Sequence, residues 1–303
     1  MLGENIKVHF AGSDNSLPHY LAMQLAGVNY SLFTCYGFIE KKEPDSKMKF
    51  SEDQLFIPKV IEKQRKNVIM DSGLFTLMFG AGKNKKLTLD DLIKWQDTTA
   101  SFLHQNKLSC MCVEIDCQKL LGVKEAWFLR ERMKKVMPNN RHINVWHLED
   151  GKKGLDRLIE YSDYIAISVP ELRIQRRGRH GQVTIQLANY IKNKKPEIDI
   201  HLLGCTEIKI LEQTRFCTSS DSTAWLKANK HGTIYHNKKT YHVNHIADEQ
   251  REKITPSILE LYEKVKPPAF GAMTEKTLKY TQDAYFSVLL NLNRYIKACG
   301  SQK

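Results

Sequence analysis

Residues 142–169, HINVWHLEDGKKGLDRLIEYSDYIAISV, read as strand, helix, strand. Apolar residues crowd 142–148 and 164–169, and the stretch between them, 151–161, carries a helical pattern. Two strands joined through a helix are the repeating unit of an α/β fold. The unit recurs. Strand candidates lie at 7–12, 30–36, 67–72, 110–116, 142–148, 164–169, 199–204 and 215–220. Helical patterns fill most of the gaps, near 17–27, 53–65, 88–105, 123–137, 151–161, 182–194 and 206–213; in 88–105, Leu89, Leu92, Ile93, Ala100 and Leu103 repeat at helical spacing. Eight β-α repeats in about 220 residues predict a (β/α)8 barrel of the TIM type. An open doubly wound sheet is the competing fold, but Gly12-Ser13-Asp14 after the first strand is not a dinucleotide fingerprint.

The pattern changes after Asp221. Residues 231–243 suggest a hairpin around Asn237-Lys238, Thr255-Pro256 a helix start, and 275–298 a last helix. These elements are expected to close the barrel and dock on it. The whole chain, 1–303, is therefore read as a single domain, with barrel repeats over about 7–226 and the hairpin and closing helices over about 227–300.

Composition narrows the class. With 303 residues, 42% hydrophobic and 26% charged, the chain can bury a full core. A net charge of +12 fits a polyanionic partner, although a solvated surface alone could account for it. No apolar stretch reaches the ~18 residues of a membrane span, and no secretory leader precedes residue 10, so a cytoplasmic protein with reduced thiols and no membrane association is expected. Cys110, Cys112 and Cys117 superficially suggest metal ligands, but read better as small buried hydrophobes. His231, His236, His242 and His245 near the hairpin lack a cysteine pair close by in sequence, and a zinc site there is not expected.

In a barrel of this kind, chemistry collects at the C-terminal ends of the strands. The expected strand ends carry Asp71, Glu114 and Asp116, His147, Ser168, Gly204 and Asp221. A carboxylate on an apolar strand is costly unless it is paired or used. A single Asp after a strand is usually a turn former, and Glu114 could simply pair with a Lys or Arg. What favours a site is the co-occurrence of these groups at one end of one barrel. Two carboxylates about 150 residues apart, Asp71 and Asp221, suit glycosyl transfer, where one attacks an anomeric carbon and the other moves a proton. Basic residues gather on the same rim: Arg173, Arg176, Arg177 and Arg179 after strand six, Lys83, Lys85 and Lys86 after strand three, and Lys238 at the hairpin tip. They suggest a groove for a phosphate backbone. Phe75, Trp146 and Trp225 are aromatics near that mouth, suited to stacking a base, although Trp225 could equally belong to the core.

The order of these motifs resembles the tRNA-guanine transglycosylase superfamily, over most of 7–226. Asp71-Ser72-Gly73-Leu74-Phe75 is similar to that family's Asp-Ser-Gly-Gly-Phe segment, and Asp116 falls where the family has an Asp that recognises the base. His147 stands where a Gln is common, and Ser168-Val169-Pro170 where a Gly-Gly turn lines the base pocket. His201-Leu202-Leu203-Gly204 resembles the segment before the nucleophile, and Asp221 falls at the nucleophile itself. The cysteine cluster and later His that hold structural zinc in the tRNA enzymes have no counterpart, since residues 222–303 contain only Cys299. In this the chain looks like the DNA 7-deazaguanine transglycosylases of phages and mobile elements, which puts it in the host cytoplasm if phage-encoded.

The resemblance implies a pentosyltransferase that exchanges guanine in double-stranded DNA for a free 7-deazaguanine base such as preQ0, with base flipping. Asp221 is the implied nucleophile and Asp71 the general acid/base. Asp116, His147, Ser168, Gly204 and Phe75 are the implied base contacts. No cofactor and no metal is implied. Alternatives are the same exchange on tRNA, a metal-dependent hydrolase on the same barrel, and a non-catalytic nucleic-acid-binding barrel.

Overall fold

The structure is a computed structural model that describes residues 6–14, 19–20, 23, 29–39, 47–74, 87–226, 233–236 and 239–242. Eight parallel strands close into a barrel in sequence order. They are β1 (Lys7–Ala11), β2 (Ser31–Thr34), β3 (Val68–Asp71), β4 (Met111–Val113), β5 (Arg141–Trp146), β6 (Tyr164–Ser168), β7 (Asp199–Leu203) and β8 (Ser219–Ser222). Closure is made by β8 pairing with β1, with His9 opposite Asp221. The (β/α)8 expectation holds.

The outer layer contains α1 (Ile57–Lys63), α2 (Leu89–Gln105), α3 (Val123–Val136), α4 (Gly151–Tyr161), α5 (Val169–Gln175), α6 (His180–Lys194) and α7 (Ile208–Gln213). The start of α2 is written in its sequence. The Thr88 side chain accepts from the Asp91 N–H, and the Asp91 side chain answers at the Thr88 N–H, which satisfies two otherwise orphaned donors. The inner faces of the helices pack on the outward strand residues in two large apolar clusters, one around Ile165, Ile167, Ile200 and Leu202 and one around Phe33, Val68, Met70 and Trp95. Leu32, Ile69, Met111, Val113, Ile143, Val145, Tyr164 and Ala166 fill the barrel interior. Because side chains alternate along a strand, these interior positions also fix which polar residues point inward.

Several boundaries differ from those expected. The second strand stops at Thr34, and Cys35–Phe38 forms a 3-10 turn. The helix expected over 53–65 is a 3-10 turn, Glu52–Gln54, followed by α1 with Pro58 in its first turn. The fourth strand ends at Val113, so Glu114 and Asp116 do not share a strand face. The eighth strand is later than expected, beginning at Ser219 and including Asp221. An additional helix, α5, follows β6 directly, with Pro170 in its first turn, where the missing N–H costs nothing.

The hairpin is present as β9 (Thr233–His236) and β10 (Lys239–His242), antiparallel, with His236 opposite Lys239. The helices expected near 255 and over 275–298 lie outside the described residues, as does most of the one expected over 17–27. Cys35, Cys110, Cys112, Cys117, Cys205 and Cys217 are buried free thiols, in keeping with their reading as small core residues. Among the described residues no helix is long and apolar enough to cross a membrane.

Candidate active site

Asp221 is placed by β8, whose register sets it inward. Ser219 lies opposite His201 and, on the other side, opposite Lys7. One carboxylate oxygen, Oδ1, accepts two bonds, from the Gly204 N–H at 2.8 Å and from His201 Nε2 at 3.1 Å. Oδ2 makes no hydrogen bond among the described residues, and Asp221 is 9% exposed. Gly204 is required in this role. Its φ is +59°, and a Cβ there would lie 2.5 Å from Pro170 Cγ. Gly204 therefore positions Asp221 through its amide and is not placed as a direct base contact.

His201 extends this support downward. Its Nδ1 lies 2.5 Å from Ser219 Oγ, which in turn lies 2.5 Å from the Tyr164 hydroxyl. With His201 neutral, one polarity satisfies every member. Tyr164 donates to Ser219, Ser219 donates to Nδ1, and Nε2–H donates to Asp221. The chain is sealed from water, since His201 and Ser219 are fully buried. A satisfied buried network of this kind holds one geometry. His201 entered the sequence reading only as part of the His201–Gly204 motif, with no role of its own. Only its inward register, level with Ala166 on β6, marks it out.

Asp71 ends β3 and also points inward, two residues beyond Ile69. Its Oδ2 accepts from the Gly73 N–H at 3.0 Å. Gly73 has φ +75°, and a Cβ would crowd the Tyr36 backbone N at 2.8 Å, so the tight turn needs glycine. The indole of Trp95 on α2 clamps the turn from behind, donating to the Ser72 carbonyl at 2.9 Å. Burial pushes the Asp71 carboxyl up to about 7, and the charge of Asp116 adds to this. The Gly73 N–H opposes the rise, while Asp221 and Asp14 contribute to it. Asp14 is a buried fourth carboxylate of this neighbourhood that no sequence motif suggested.

Asp116 and His147 form a second group at the mouth. His147 Nε2 lies 2.9 Å from Asp116 Oδ2, and Nδ1 lies 2.8 Å from Glu171 Oε2. Lys119 closes the network on the other Glu171 oxygen at 2.8 Å. Burial alone would lower the His147 pKa, but its bonds to Asp116 and Glu171, with their charges, outweigh burial and raise it to about 10. His147 is thus an imidazolium held between two carboxylates. Both ring nitrogens are occupied, so it orients Asp116 rather than touching a base. Glu171, on α5, was not among the expected site residues, because α5 itself was not expected. His147, Glu149 and Glu171 are the one set of described residues close enough to hold a metal ion. The two carboxylates on the imidazolium make that set a poor ligand shell, because a metal would have to displace its proton.

The ion pair allowed for Glu114 and the core place allowed for Trp225 hold, and the stacking role expected of Trp146 does not. Glu114 turns away from the mouth and is buried against Arg130 on α3, accepting from Nε at 2.7 Å and Nη2 at 2.6 Å. Asn144 and the Val145 N–H complete its shell. Glu114 is a structural clamp between the β4 end, β5 and α3. Trp146 and Trp225 are core residues, 5% and 1% exposed, whose indoles donate to the carbonyls of Gly151 and Ala11. Neither is free to stack on a base.

Ser168 caps the β6 end, half-buried, and leads into α5. Arg173 is paired with Glu207 at 2.7 Å. Arg176, Arg177 and Arg179 are exposed in the turn between α5 and α6 and pair with no carboxylate among the described residues. Phe75, Lys83, Lys85, Lys86 and Lys238 lie outside the described residues.

No protein-family model matches the chain, and no curated protein matches it. The resemblance to the transglycosylases therefore rests on the sequence motifs alone.

Proposed function

We propose that the protein is a guanine transglycosylase that exchanges a guanine in DNA for a free 7-deazaguanine base. The observation that carries the proposal is the pairing of two unlike carboxylates at one barrel mouth. Asp221 is pinned through one oxygen with the other open, while Asp71 is pushed up to about 7. A carboxyl raised towards neutrality suits the acid/base, and a carboxylate fixed through one oxygen with the other open suits the nucleophile.

In the first step Asp221 Oδ2 bonds to C1′ of the target nucleotide and the C1′–N9 bond breaks. The departing guanine takes the Asp71 proton. In the second step the incoming base returns its N9 proton to Asp71, N9 bonds to C1′, and the Asp221–C1′ bond breaks, so configuration is retained. Two hydrogen bonds on Oδ1 suit this chemistry, because they hold the carboxylate for attack and stabilise it as a leaving group. Asp116 Oδ1 is available for the N1–H and amino edge of a guanine-like base, with His147 orienting the carboxylate through Oδ2. A site of that design rejects adenine, whose edge would leave buried groups unpaired. The target must be flipped out of the duplex to reach the mouth. The choice of DNA over tRNA is supported by the absence of the tRNA enzymes' zinc-binding motif from 222–303.

The test is incorporation. The protein is mixed with duplex DNA or tRNA and 7-cyano-7-deazaguanine, and the polymer is digested to nucleosides for mass analysis. The expected result is the new nucleoside in DNA, absent with Asp221→Ala. Incorporation into tRNA alone would move the substrate to RNA, and none in either polymer would remove the proposal.

A further inference from the structure

At the opposite end of the barrel, the first residues of the strands surround a cavity of about 840 Å³. Six cations line it: Lys7, Arg65, Lys66, Arg141, Lys192 and Arg215. They face a single carboxylate, Asp199. Part of this charge is already committed. Arg141 pairs with Asp199 at 2.5 Å, and Lys192 Nζ donates to the carbonyls of Pro196 and Ile198. Arg65, Lys66 and Arg215 are exposed and have no ion-pair partner among the described residues.

A second observation is independent of charge. His9 lines the same cavity from above, is 1% exposed, and neither ring nitrogen makes a hydrogen bond of normal geometry, with only weak approaches to the Lys7 and Ser220 backbone. Buried imidazoles without partners are rare, because each unsatisfied nitrogen costs a desolvation penalty. Nearly complete burial, with His201 beside it, holds the ring neutral, at about 3. A neutral ring offers one donor and one acceptor.

We propose that this floor cavity is a binding site for a small polyphosphate, of the size of pyrophosphate or a nucleoside triphosphate. Arg65, Lys66 and Arg215 would take the phosphates and His9 a polar group of the deeper part. The volume lies in the roughly 300–1,000 Å³ range of small-molecule sites and exceeds what one phosphate fills. Guanidinium groups bind phosphate oxygens through paired N–H donors. The site is separate from the mouth and does not depend on the base-exchange reading.

Calorimetric titration of the full-length protein with pyrophosphate and with ATP tests it, beside an Arg65→Ala/Lys66→Ala/Arg215→Ala variant and Asp221→Ala. Saturable binding is expected. It should weaken about tenfold or more in the triple variant, from loss of charge-assisted bonds, and stay unchanged in Asp221→Ala. The three replaced side chains are exposed, and Arg215→Glu alone serves as a second variant if the triple one does not fold. No binding of either probe, equal binding by wild type and floor variants, or a loss confined to duplex DNA affinity would each overturn the proposal.

Discussion

Asp71 and Asp221 differ in what their neighbours do to them, and two predictions follow from that difference. In the proposed exchange Asp71 must be protonated for the first step and ionised for the last, and with its carboxyl near 7 the rate should peak around neutral pH and fall on both sides. Asp71→Asn should abolish the alkaline limb along with most of the rate. It should also stabilise the fold. A raised carboxyl pKa means the folded state keeps its proton while the unfolded chain loses it, so stability drops as pH rises from 3.8 to about 7. Removing the charge should recover about 1–2 kcal/mol at pH 8 in a denaturant titration, after allowance for partial exposure.

In the proposed reaction His201 would act only through Asp221, to which its Nε2 is bonded. His201→Ala should lower kcat by roughly 10²-fold with little change in KM, the expected effect of a misplaced nucleophile. His201→Gln, whose amide N–H can replace Nε2–H, should recover a large part. Equal loss in both variants would show that His201 serves only packing.

Asp71 was legible in the sequence because it ends an apolar run at a turn, and Asp221 because it follows the last strand candidate, although it lies inside β8. Glu171 was not, and His201 was noted only within a motif, without its role. Their roles come from register across β6, β7 and β8 and from α5, which no local pattern announces.

Among the elements, the β7–α7 turn and the β4 end decide where the site groups stand. Gly204→Ala adds a Cβ against Pro170 in a left-handed backbone, so the amide must move off Asp221. The expected outcome is a loss of about 1–2 kcal/mol in thermal unfolding and a larger loss of exchange rate. Glu114 gives the contrary lesson. A strand running over 110–116 would put it on one face with Asp116, but β4 ends at Val113, and the chain turns between the two carboxylates. One meets Arg130 inside the helix layer and the other meets His147 at the mouth. Arg130→Met should cost about 3–5 kcal/mol, since it strands a buried carboxylate. Strand existence and order were readable from apolar runs. Strand ends, which depend on where neighbouring strands stop pairing, were not.

For the molecule as a whole, the barrel was readable because eight β-α units in about 220 residues leave few other topologies. The distribution of charge was readable only in part. The arginines after β6 are exposed on the side where the strands end, but the cluster on the floor is assembled from five separate segments. If the Arg176, Arg177 and Arg179 turn tracks a phosphate backbone, replacing all three by Ala should lower the salt slope of DNA binding by about 2–3.

Alkaline stability should depend on the His147 cluster. The raised imidazolium stabilises the fold fully below 6.5, and that stability is lost as pH rises towards 10. The melting temperature should therefore fall between pH 7 and 10, and the fall should be shallower in His147→Gln.

The central claim is that Asp221 forms a covalent bond to the sugar. Duplex DNA is incubated with the protein without an acceptor base, quenched in denaturant, digested with nuclease and protease, and the peptides are weighed. A deoxyribose-phosphate adduct on Asp221, absent in Asp221→Asn and discharged when 7-cyano-7-deazaguanine is added before the quench, is the expected result. Base exchange without any adduct, or an adduct on a different residue, would contradict it.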